Sequence, residues 1–71
     1  MLTYLNLSSN KLTYIKSELF FYLNSLLVLD LSFNQIKKIE DSFYKLNNLK
    51  ILNLNQNSNL ILTNYIFKGL H

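Results

Sequence analysis

The phrase Leu-x-x-Leu-x-Leu-x-x-Asn occurs three times, starting at Leu2, Leu26 and Leu49 and closing on Asn10, Asn34 and Asn57, at spacings of 24 and 23 residues. Self-similarity at such a period restricts the chain to a stack of like units, none of which can bury its apolar face alone. The copies agree beyond the phrase. The first runs Leu2, Leu5, Leu7, Asn10, Leu12, Ile15, Phe20 and Leu23; the second runs Leu26, Leu29, Leu31, Asn34, Ile36, Ile39, Phe43 and Leu46. The third gives Leu49, Leu52, Leu54 and Asn57, places Asn59 where Leu or Ile is expected, and resumes with Leu62, Phe67 and Leu70. Either Leu60 fills the vacated slot through a local distortion, or that turn is looser than the others. Each Phe precedes its Leu by three residues in every copy, which sets the register.

Within each phrase the leucines alternate with polar residues. Leu5 and Leu7 flank Asn6, Leu29 and Leu31 flank Asp30, and Leu52 and Leu54 flank Asn53. A period of two is the mark of a short strand with one buried face, so strands are expected near Tyr4 to Leu7, Val28 to Leu31 and Ile51 to Leu54. Strands that recur in one sense along the chain, each followed by a return segment, must pair in parallel. The expected product is a curved solenoid with its connections on the far side of the sheet.

These residues resemble the leucine-rich repeat family, whose motif L-x-x-L-x-L-x-x-N-x-L is matched in full twice and in part once. The longer pattern, with Phe20 and then Leu23, is similar to the 24-residue type found in extracellular receptor ectodomains. Lys16, Glu40 and Thr63 stand where such repeats often carry proline, and the chain has no proline. The resemblance implies an α/β-type solenoid: a right-handed superhelix with a short parallel β-sheet on the concave face and irregular or short helical return segments on the convex face. It also implies that Asn10, Asn34 and Asn57 turn inward and bond backbone groups of their own and the adjacent repeat, as a ladder. Phe20, Phe43 and Phe67 are expected in the core on the return side. The repeats are bounded at 2–25, 26–48 and 49–71, and the segment is expected to be an uncapped piece of a longer array. The repeat type leans toward an extracellular or receptor-ectodomain location.

Composition narrows the function classes. Although 49% of residues are hydrophobic, the longest apolar run is Leu19 to Leu23, well short of the roughly 18 residues that span a bilayer. Insertion in a membrane is not expected. The absence of cysteine removes disulfides and thiolate metal sites. Seven lysines and no arginine give a net charge of +3, but they are dispersed. Lys16 falls on a return segment, Lys37 and Lys38 just past the second turn, and Lys45 and Lys68 late in their copies; only Lys50 is close to the strand face. A nucleic-acid surface needs such charges on one face, so nucleic acid is not an expected partner. The single histidine is His71, the acids are Glu18, Asp30, Glu40 and Asp41, and no Ser or Lys has a partner spaced to activate it. No catalytic, metal or cofactor site is expected.

The outward strand positions then form rows across the copies: Tyr4, Val28 and Ile51; Asn6, Asp30 and Asn53; Ser8, Ser32 and Asn55; Ser9, Phe33 and Gln56. An apolar row beside polar ones suits a protein partner, because interface centres favour aromatics and rims are polar. Val28 and Ile51 serve equally well as strand formers packed on each other. Tyr4 and Phe33 gain little stability from an exposed position. The expected contacts are Tyr4, Asn6, Ser8, Val28, Asp30, Ser32, Phe33, Ile51, Asn53 and Asn55. Three strands of five residues cover a footprint of about 230 Å², against about 800 Å² per partner in a standard interface, so further repeats or a second copy would complete the surface. The alternative role is a structural spacer or self-association scaffold that stacks on further repeats.

Overall fold

Alternating leucines do build a sheet, and its strands are short. The structure, a computed structural model, describes residues 1–16, 18–39, 43 and 45–60. Strands β1 (Tyr4–Asn6), β3 (Val28–Asp30) and β5 (Ile51–Asn53) pair in parallel in the order β1-β3-β5. The register places Tyr4, Val28 and Ile51 side by side, then Leu5, Leu29 and Leu52, then Asn6, Asp30 and Asn53. Backbone bonds continue past the strands, with the Leu7 N–H donating to the Asp30 carbonyl and the Leu31 N–H to that of Asn53, both at 2.8 Å.

A second parallel sheet was not anticipated from the leucine pattern. β2 (Tyr14–Ile15) pairs with β4 (Lys38–Ile39), joining Tyr14 to Lys38 and Ile15 to Ile39. Ile15 and Ile39 point into the core while Tyr14 and Lys38 face out. The branched isoleucines suit this half-buried pleat.

Between the two sheets and the return segments lies a single core of Ile15, Phe20, Leu26, Leu29, Leu31, Ile36, Ile39, Phe43, Leu46 and Leu49. Most of it comes from the second copy, which has a neighbour on each side. The equivalent Leu5, Leu7, Leu12 and Leu23 of the first copy, and Leu52 and Leu54 of the third, are only half-buried. Phe20 and Phe43 stack with ring centroids 6.0 Å apart and planes 20° from parallel; Phe67 lies outside the described residues.

Among the described residues the return segments contain no helix and take the irregular form of the two that the resemblance implies. They are built from successive tight turns. The Leu23 N–H donates to the Phe20 carbonyl and the Leu26 N–H to that of Leu23; Leu46 to Phe43 and Leu49 to Leu46 repeat the pattern at 3.0 and 3.1 Å. At Asn59 it is the following residue, Leu60, that takes the apolar place. A turn from the Leu60 N–H to the Asn57 carbonyl, at 2.9 Å, leaves Asn59 exposed and packs Leu60 against the core.

Candidate recognition face

Side chains of β1, β3 and β5 that point away from the core form the face on which the expected contacts fall. Tyr4 and Ile51 are 56% and 57% exposed, with Val28 half-buried between them. One row further, Asn6, Asp30 and Asn53 share a local device. The Oδ1 of each accepts the backbone N–H two residues on, from Ser8 at 2.9 Å, Ser32 at 2.9 Å and Asn55 at 3.0 Å. These are Asx turns, one at the C-terminal end of each strand. The hydroxyls of Ser8 and Ser32 donate to the same Oδ1 atoms at 2.6 Å. Hydrogen bonds from the Ser32 hydroxyl and then its N–H stabilise the ionised Asp30 carboxylate and hold its pKa below the ordinary value.

Two positions differ from expectation. Ser32, expected as an outward contact, is 4% exposed, because its hydroxyl folds back onto Asp30 and the neighbouring copies close over it. Ser8 is half-buried and Asn55 exposed in the equivalent places. Asn10, expected to turn inward, is exposed, and among the described residues its Nδ2 donates to the Ser8 carbonyl alone. The reason is directional. Asn34 Oδ1 accepts the N–H groups of Asn10 and Leu12, both at 2.9 Å, and its Nδ2 lies within 3.0–3.1 Å of the Leu7, Leu31 and Ser32 carbonyls. Asn57 repeats this one copy on, accepting from Ile36 at 3.1 Å and donating to the Leu31, Leu54 and Asn55 carbonyls. Each carboxamide reaches back to the copy before its own. Among the described residues no buried side-chain polar atom lacks a partner.

Past the strands, Ser9, Phe33 and Gln56 have φ of 59°, 55° and 62°. Left-handed backbone at the same position in three copies shows that the turn imposes it, whichever residue stands there. The Ser9 N–H is bonded to the Ser32 carbonyl at 3.0 Å and the Phe33 N–H to the Asn55 carbonyl at 2.9 Å. For a bulky residue this region is strained, and Phe33 is nonetheless 62% exposed.

The sequence model of the leucine rich repeat family matches residues 1–71. The chain belongs to the leucine-rich repeat family. No curated protein and no solved structure matches it. Leucine-rich repeat domains generally mediate protein–protein interaction and are typically not enzymes, and their fold is solenoid-like. Among the described residues no three His, Cys, Asp or Glu side chains are grouped to hold a metal, and no helix is long and apolar enough to cross a membrane. Glu40 and Asp41 lie outside the described residues.

Sequence reasoning missed the Asx turns, which were signalled by an Asn or Asp two residues before Ser8, Ser32 and Asn55. It also missed a second link between copies, the Asn48 Nδ2 donating to the Asn24 carbonyl at 2.9 Å. The spacing of 24 residues between those asparagines was its only trace.

Proposed function

We propose that this leucine-rich repeat chain recognises a protein ligand through its strand face, as part of a receptor-like, right-handed solenoid in which that face is concave. The contacts are Tyr4, Asn6, Ser8, Val28, Asp30, Phe33, Ile51, Asn53 and Asn55; Asn34 and Asn57 hold the backbone beneath them. The observation that carries this reading is Phe33. A phenylalanine in left-handed backbone costs on the order of 1 kcal/mol, and at 62% exposure it recovers little of that by packing. Such strain clusters at binding sites. Tyr4 and Ile51 extend the same face with exposed apolar area.

Replacing Tyr4 and Phe33 with Ser tests it. Loss of protein-partner capture with an unchanged unfolding midpoint supports the recognition reading. Retained capture with loss of self-association by light scattering replaces it with the spacer reading.

A further inference from the structure

The strands flanking β3 provide an internal control for Asp30. At the same register, Asn6 and Asn53 form the same turn through Oδ1. A carboxamide therefore suffices for the turn, which does not require the negative charge at position 30. That charge is nonetheless maintained, since the hydroxyl and the N–H of Ser32 both favour the ionised form.

The geometry also limits what the carboxylate can receive. Both Ser32 donors fall on Oδ1, at 2.6 and 2.9 Å, and no described residue donates to Oδ2. Arginine recognises a carboxylate best with two parallel N–H bonds, one to each oxygen. Here Oδ1 is already filled. A single free oxygen suits a compact ammonium, which acts as a point charge. Asp30 is the only acid among the described residues of the strand face, on a chain of net charge +3. Apolar side chains stand to either side of it: Tyr4, Val28 and Ile51 two positions before, and Phe33 three positions after.

Resting on the strand-face reading above, we infer that the protein ligand presents a lysine ammonium to Asp30 Oδ2, with apolar side chains on both sides of that lysine. The complementary charge selects the ligand, and the apolar rows hold it.

A random dodecapeptide library displayed on phage, selected on the 71-residue chain, tests this. The selected peptides are then measured on wild type, on D30N, which keeps the acceptor for the turn, and on the Tyr4→Ser/Phe33→Ser variant. The expected result is enrichment of lysine over arginine between apolar residues. Affinity should fall about five-fold on D30N, the upper range for an exposed ion pair, and that difference should shrink in high salt. Peptides that weaken on the double variant yet bind D30N like wild type overturn the charge inference and leave the strand-face reading standing. Equal enrichment of arginine overturns the ammonium preference. Peptides indifferent to both variants, or no enrichment at all, overturn both readings.

Discussion

Ser32 places its hydroxyl and its backbone N–H on the same oxygen of Asp30, at 2.6 and 2.9 Å. The folded chain therefore favours the ionised carboxylate, and the pKa of Asp30 lies below its ordinary 3.8. For a depressed acid, the folded state binds its proton less readily than the unfolded chain does. The contribution is complete above the unfolded value and is lost as pH falls through the folded value. Wild type is thus expected to lose stability below about pH 4 more steeply than D30N does. Denaturation midpoints of both proteins at pH 6 and pH 3 check this; parallel declines would show that Asp30 contributes nothing to the acid sensitivity. In Ser32→Ala the Asp30 titration followed by NMR should move up.

Asn34 and Asn10 occupy equivalent places in the repeat and are expected to respond differently. Asn34→Ala strands the N–H groups of Asn10 and Leu12 as well as the carbonyls around its Nδ2. At about 1–3 kcal/mol for each buried group left unpaired, a loss of about 2 kcal/mol or more is expected. Asn10→Ala and Asn47→Ala, both at exposed positions, should each cost about 0.5 kcal/mol or less. Urea denaturation of the three variants decides; equal midpoints would remove the ladder from the account of stability.

At Phe33 stability and binding are expected to move in opposite directions. Phe33→Asn places a residue tolerant of left-handed backbone at φ 55° and sacrifices little packing, so the unfolding midpoint should hold or rise, by up to about 1 kcal/mol. Ligand capture should fall. A clear destabilisation would mean that the ring is a structural residue.

Phe43→Ala breaks the stack with Phe20 and empties a fully buried site. A cost of about 3–5 kcal/mol is expected from the cavity. Phe21 is half-buried, with the Lys45 ammonium 4.9 Å from its ring. Phe21→Ala should cost clearly less in the same denaturation series.

The main sheet was legible because the alternation around Asn6, Asp30 and Asn53 recurs in register, and parallel pairing follows from the direction of the chain. Each strand is one residue shorter at its C-terminal end than the alternation suggests. In each copy an Asx turn claims the N–H two residues on, at Ser8, Ser32 and Asn55, while the Leu7 and Leu31 N–H groups in between still bond to the Asp30 and Asn53 carbonyls. The β2–β4 sheet was not legible, since two residues carry no visible alternation and only pairing between copies makes Tyr14 and Ile15 a strand. The exposed apolar row of Tyr4 and Ile51 follows from the period of two. The burial of Ser32 does not, because it depends on where Asp30 sends its own carboxylate and on the neighbouring copies. Likewise the Asn motif marks which residues bond, but not in which direction, so the exposure of Asn10 had no sequence signal.

That direction gives the array a sequence in time. The amide of Leu12 is satisfied by a carboxamide 22 residues later, and that of Ile36 by one 21 residues later. During synthesis each turn would stay unlocked until the following copy emerged, so closure would proceed from the N-terminal side with a lag of about one repeat. An interruption within residues 49–60 would then be felt upstream, at Ile36, before it reached any ligand.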